Sequence, residues 1–175
     1  MPVVIVNPAL MLGPGDVLGN SSACICRNIY KGDYPGVPDG VIAFADVRDV
    51  SNAILNALQK GRVRERYVLG GKSASMREMF ERCKKLYPQI KTPSFSVPYA
   101  FAAVFGAFGS IRLSLNESLN RPFDNTITNL AKVKWSYVKT YFDSSKAQND
   151  LDYRMTDLDE SVKDTIDFYI ESKLV

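Results

Sequence analysis

The sequence predicts an α/β fold, with a small parallel sheet in the first half of the chain and a mainly helical second half. Val3-Val4-Ile5-Val6 and Tyr67-Val68-Leu69 are short apolar runs without alternation, as in strands covered on both faces. Between them lies a strongly patterned helical segment opened by Asp46-Val47-Arg48-Asp49-Val50, which is the order a parallel sheet needs. From Pro98 onward the character changes to helices.

Taken in order, Val3–Val6 reads as an interior strand. Asn7-Pro8 should end its ladder, because proline has no N–H and forces the residue before it out of the helical region. The apolar run Ala9–Leu12 leads into a turn at Gly13-Pro14-Gly15-Asp16. In open α/β sheets ligands bind beyond the carboxyl ends of such strands, although nothing in this stretch is a nucleophile, acid or base. A helix over Asn20–Tyr30 and a Gly/Pro/Asp-rich loop to Gly40 precede a strand at Val41–Ala45. The next helix runs to about Lys60, with Val47, Val50, Ile54, Leu55 and Leu58 as its apolar positions. Asp46 and Asp49 suit its positive N-terminus, so helix capping explains them better than an acid/base pair does. Gly61 stops it. Gly70-Gly71 closes the Tyr67 strand, and Ser75-Met76-Arg77-Glu78 is a capping box for a helix ending before Pro88.

In the second half, Tyr99–Leu113 is rich in alanine and phenylalanine, and a further helix is expected over Arg121–Lys134. Val138–Phe142 reads as a short strand, and Ser144–Leu151 as a short helix capped by Asp143 or Ser144. Thr156–Lys173 is amphipathic, with Leu158, Val162, Ile166, Phe168, Tyr169 and Ile170 apolar. Length points to a single domain over 1–175, with an α/β part at 1–90 and a mainly helical part at 91–175.

Hydrophobic content of 46% and charged content of 23% are ordinary for a soluble globular chain. The net charge of +3 comes without a basic run, which speaks against nucleic acid as a partner. The absence of histidine removes Ser-His and Cys-His nucleophile pairs and His-ligated metals. Cys24, Cys26 and Cys83 lack the spacing of a disulfide framework or a metal site, which fits buried thiols in a reducing, cytoplasmic setting. Met1-Pro2 enters a strand directly, without the features of a signal peptide. Ser94–Ile111 is an uncharged stretch, but Pro98, Gly106 and Gly109 make it a poor membrane span. A core helix or a surface-seated apolar helix is expected there.

Four segments carry a family resemblance. These are Asn7-Pro8-Ala9-Leu10-Met11-Leu12-Gly13-Pro14-Gly15-Asp16, Phe44-Ala45-Asp46-Val47-Arg48-Asp49-Val50, Glu65-Arg66-Tyr67-Val68-Leu69-Gly70-Gly71 and Asp143-Ser144-Ser145-Lys146-Ala147. In this order they resemble the C-terminal half of the extended short-chain dehydrogenases/reductases, in the NAD-dependent epimerase/dehydratase superfamily. The Leu-Gly-Gly strand end is most similar to the dihydroflavonol-reductase-like branch. The resemblance covers essentially the whole chain and implies a partial Rossmann-type parallel sheet with a mainly helical substrate-binding region.

By that resemblance Pro8, Ala9, Leu10 and Met11 line the nicotinamide end of an NAD or NADP site, through backbone groups and apolar contact. Asn7, Tyr99, Phe101 and Phe105 fall to the substrate, a small hydrophobic carbonyl or secondary alcohol. The rings, with Phe108, equally suit a filled core. The alternatives are half of a nucleotide-sugar epimerase or dehydratase, or a non-catalytic binding or assembly module. Family members also carry a Gly-rich phosphate turn and a Tyr-x-x-x-Lys pair, in which the lysine lowers the tyrosine pKa, upstream of the Asn-Pro strand. Neither stands in that position here, so the chain reads as the back half of an enzyme with no catalytic residue of its own. Tyr87/Lys91 and Tyr169/Lys173 fit the spacing formally, but Pro88 interrupts the first and the second lies in the last turn of the chain. Gly13-x-Gly15-x-x-x-Gly19 imitates a dinucleotide fingerprint but does not turn directly off the strand end. A strand flanked only by the Tyr67 run leaves one open edge, so the expected partners are a second copy or a complementary N-terminal half.

Overall fold

A computed structural model describes residues 1–17, 24–118 (apart from the side chain of Glu117) and 129–175. Along these the chain forms β1 (Ile5–Pro8), β2 (Leu10–Leu12), α1 (Cys24–Lys31), β3 (Val41–Asp46), α2 (Val47–Lys60), β4 (Arg66–Leu69), β5 (Lys72–Ser75) and α3 (Met76–Leu86). Four helices follow: α4 (Tyr99–Ser118), α5 (Leu130–Ser136), α6 (Ser145–Leu151) and α7 (Leu158–Glu171). The start of the expected Asn20 helix, Gly19 of the imitation fingerprint and 121–128 of the expected Arg121 helix lie outside the described residues.

The strands form two small sheets. β1 pairs in parallel with β4, and Val6 stands opposite Tyr67. In the other sheet β3 is central, parallel to β2 and antiparallel to β5. The fold is α/β with parallel pairing as expected, and β5 adds an antiparallel edge. Lys72-Ser73-Ala74-Ser75 has no β-branched residue, so its sequence gives no strand signal. What seats it is Gly71, where any Cβ would collide with the Phe44 carbonyl, so only glycine allows the approach. The Ser75–Glu78 capping box then turns the chain into α3.

The core falls into two clusters on either side of β3. Leu12, Cys26, Phe44, Met79, Phe80 and Ile166 lie in one, joining α1, α3 and α7. Ala45, Val50, Ala53, Tyr67, Leu69 and Leu151 lie in the other, joining α2, β4 and α6. Neighbouring β3 residues Phe44 and Ala45 belong to different clusters because successive strand side chains point to opposite faces.

Three expectations need correction. The α2 stripe is Val50, Ala53 and Ala57, whereas Ile54, Leu55 and Leu58 face outward. Small alanines let the helix sit close to its neighbours, and this outweighs the larger residues' gain from burial. Val138–Phe142 is not a strand but a single bridge from Lys139 to Val41. Thr140 Oγ1 accepts the Ala43 N–H that a continuing strand would take with a carbonyl. The Val3–Val6 run is not covered on both faces: Val4 and Val6 pack on the core while Val3 and Ile5 are exposed. The strand itself lies later, at Ile5–Pro8.

Candidate functional site

The carboxyl end of β1 is built by an alternation of backbone groups. Ile5 N–H donates to Glu65 O and Ala9 N–H to Leu69 O, each at 3.0 Å, so odd-numbered residues face β4. Val4, Val6 and Pro8 therefore face the other edge, where the missing proline N–H costs no bond. For this reason the ladder continues through Asn7 and Pro8 instead of ending there.

The chain then changes partners: Ala9 still bonds to β4, while Leu10–Leu12 pairs with Phe44–Asp46 of β3.

 
This crossover at Ala9 divides the segment between the two cores, with Ala9 against the α2 side and Leu10 against the α3 and α7 side. Asn7, Pro8 and Met11 remain exposed. Of the segment implied for a nicotinamide, Pro8 and Met11 thus present apolar surface, and Ala9 and Leu10 are half-buried behind them.

The turn that follows is fastened from below. Gly13 has φ +133°, a Cβ there would overlap the Val47 side chain, and its N–H donates to Thr165 Oγ1 at 2.8 Å. Asp16 accepts from the Tyr169 hydroxyl at 2.6 Å. Burial and this carboxylate push the Tyr169 phenol well above its ordinary pKa. Tyr87 likewise donates to Asp167, and burial and that carboxylate raise its pKa. A phenol serving as a base with a lysine beside it needs the opposite shift. Both imitation pairs are therefore structural ties to carboxylates. The Thr165 and Tyr169 contacts bridge more than 150 residues of sequence, and no local pattern announces them.

Asp46 is a cap and a junction. It accepts from Arg48 N–H at 2.9 Å, from the Arg48 guanidinium, and from the buried Ser161 hydroxyl at 2.7 Å. Burial alone would raise its carboxyl pKa, but the bonds from Arg48 and Ser161 outweigh it and hold the group below its ordinary value. Asp49 is instead used at long range, accepting from Thr156 N–H at 2.7 Å. Cys26 is buried beside Cys83, and that contact, with burial, raises its thiol pKa.

The aromatic residues expected at the substrate lie on α4. Tyr99 packs edge-on against Tyr137 with ring centroids 5.3 Å apart. Phe101 and Phe105 are 67% and 71% exposed, so they do not fill a core. α4 rests on α5 by its other side, where Gly106 approaches Leu130 and Val133 and Ser110 Oγ accepts from Leu130 N–H. An open depression of about 350 Å³ is lined by Glu78, Glu81, Arg82, Lys85 and Asp159, and includes none of the expected site residues. Its charges of both signs pair with each other through Arg82 and Asp159. Among the described residues no helix is long and apolar enough to cross a membrane.

No family model matches the chain. In sequence it is 24% identical over 172 residues to a Synechocystis protein provisionally named dihydroflavonol 4-reductase, covering 95% of this chain and 48% of that protein. In fold it matches a nucleoside-diphosphate-sugar epimerase from Pseudomonas aeruginosa with a TM-score of 0.71 at 23% identity, over 98% of this chain and 49% of the other. It also matches a Bordetella bronchiseptica enzyme solved in complex with NAD and UDP, with a TM-score of 0.61 at 17% identity, over 98% and 44%. The chain spans about half the length of each of these proteins. In sequence and fold, the chain resembles the C-terminal half of an extended short-chain dehydrogenase/reductase, of the dihydroflavonol-reductase-like kind within the NAD-dependent epimerase/dehydratase superfamily.

Proposed function

We propose that this chain forms the nicotinamide-facing and substrate-facing half of an NAD(P)-dependent oxidoreductase acting on a small hydrophobic carbonyl or secondary alcohol. The observation that carries the reading is the crossover at Ala9, which leaves Asn7, Pro8 and Met11 with exposed surface at the carboxyl end of β1. The surface offered is uncharged, and Pro8 and Met11 suit the flat face of a nicotinamide ring. The nearest acidic residue in sequence beyond the segment, Asp16, is committed to Tyr169. When bound, the nicotinamide would exchange a hydride with the substrate carbon.

The residues of this chain would bind and orient. Pro8 and Met11 would hold the ring by apolar contact, with Ala9 and Leu10 fixing the backbone behind them. Asn7 would hydrogen-bond the substrate oxygen, and Tyr99 would supply an apolar wall. The similarity in sequence to a dihydroflavonol 4-reductase-like protein favours a hydrophobic carbonyl over a nucleotide sugar. In this reading the proton-transferring group is not among the residues of this chain, since both tyrosines at Tyr-x-x-x-Lys spacing serve carboxylates.

The test is amide chemical-shift mapping with NADH and NADPH on the 175-residue chain, paired with an assay for turnover. Shifts centred on Ala9–Met11, reduced by Met11→Asp, with no NAD(P)-dependent turnover, are the expected result. Turnover abolished by Tyr169→Phe, or shifts confined to residues remote from this segment, would overturn the reading.

A further inference from the structure

We propose that the outward face of α4 is a self-association surface that pairs with α4 of a second copy of this chain. The observation is a spacing. Phe101, Val104, Phe108, Ile111 and Leu115 recur at intervals of 3, 4, 3 and 4 residues, which aligns them along one side of a helix. Phe105 stands beside the same row. All six are more than half exposed, with Phe108 at 68%.

The opposite side of α4 is already occupied. Gly106 and Ser110 meet α5, and Tyr99 meets Tyr137. α4 is therefore apolar on both sides but covered on one. A helix apolar all round is normally buried all round, so the outward row calls for a second cover.

Size and symmetry favour a copy of the same chain. Three phenylalanines at about 200 Å² each, two-thirds exposed, with three aliphatic residues beside them, offer roughly 700 Å² per copy. That exceeds the usual largest apolar patch of a monomer and matches the roughly 800 Å² each partner contributes to a standard interface. The row is also self-complementary. A twofold axis at Phe108 in an antiparallel pair would set Phe101 against Leu115 and Phe105 against Ile111, the isologous arrangement of a C2 dimer. No charge interrupts the row, and Arg112, at its margin, is exposed. Like copies can therefore approach without repulsion. This assignment is independent of the cofactor reading, which rests on β1 and β2.

The experiment is the mass of the 175-residue chain in solution by sedimentation at micromolar concentration, for wild type and for F108E/I111E. Both positions are exposed, so the double variant should keep the wild-type circular dichroism. Wild type should sediment at twice the chain mass and the variant at half that value. F108C should form a covalent dimer under mild oxidation, whereas L58C, on the exposed side of α2, should not. A wild-type chain that is monomeric throughout the range overturns the proposal, and so does a dimer that survives F108E/I111E. A wild-type monomer that binds phosphatidylcholine vesicles through α4 overturns it in favour of a lipid surface. If F108E/I111E also fails to keep its circular dichroism, the F108C cross-link decides, and its absence overturns the proposal.

Discussion

Asp46 shows how a residue legible as a cap can carry more than a cap. Its carboxylate caps the start of α2, holds Arg48 and accepts a hydrogen bond from the buried Ser161 hydroxyl on α7. Replacing it with alanine removes the cap and leaves the Ser161 hydroxyl only its longer bond to the Asp157 carbonyl, for a loss of about 2–3 kcal/mol in urea unfolding at neutral pH. The pH dependence follows from the lowered pKa of its carboxyl. A carboxyl with a depressed folded pKa contributes its full stabilisation above its unfolded value and loses it as pH falls through the folded one. The gap between wild type and Asp46→Ala should therefore be constant from neutrality to about pH 5 and shrink below about pH 4. A gap that widens with acid would show that the junction is not ionic. Gly71 is the second residue of this kind. Gly71→Ala drives a Cβ into the Phe44 carbonyl, and the strand pair β3–β5 cannot absorb it without shifting backbone. A destabilisation of about 3 kcal/mol or more is expected, read as a lowered urea midpoint or as loss of soluble protein.

At the scale of elements, β1 carries the sharpest prediction. Ile5 and Asn7 direct their N–H groups toward β4, whereas Val4 and Val6 direct theirs to an edge that no strand covers among the described residues. Hydrogen exchange should alternate, slow at Ile5 and Asn7 and fast at Val4 and Val6. Protection of Val6 equal to that of Asn7 would reveal a strand docked on this edge, from a second copy or an N-terminal half. The same strand marks the limit of sequence reading. Its existence and its pairing with the Tyr67 run are legible because apolar runs and flanking turns are local signals, but it lies two residues later than the apolar run Val3–Val6. The continuation through Pro8 is not legible, because it depends on which edge the proline faces. Likewise the capping box at Ser75 is visible in four residues, whereas β5 exists because Gly71 fits against another strand. The helical period of α2 was plain, but its buried side was set by how closely alanine lets helix and sheet approach. For the candidate site, the Asn7–Met11 segment is singled out by the family resemblance of its motif. The ties that hold its turn, Gly13 to Thr165 and Asp16 to Tyr169, join the two ends of the chain and leave no local trace.

For the whole molecule, the question is whether the two core clusters fold as one unit. They share β3 as a wall, and α7 reaches across by bonding Asp46 through Ser161 and Gly13 through Thr165. These ties couple the sheet β2–β3–β5 to the start of α2, whose inner face belongs to the other cluster. Removing side chains deep in either cluster should then destabilise both. Ile166→Ala in the first cluster and Leu151→Ala in the second are each expected to cost about 2–5 kcal/mol, because both residues are fully buried. Against a total stability of about 5–15 kcal/mol, either change is large, and the pair together should leave little folded protein. The measurement is urea unfolding followed both by far-ultraviolet circular dichroism and by fluorescence of Trp135. Each single variant should shift a single transition to lower urea, with the two probes coincident. Should Leu151→Ala instead produce two steps, the α2, β4 and α6 side would unfold by itself. The crossover at Ala9, anchored on one side to each cluster, would then be a hinge rather than a fixed platform for a nicotinamide.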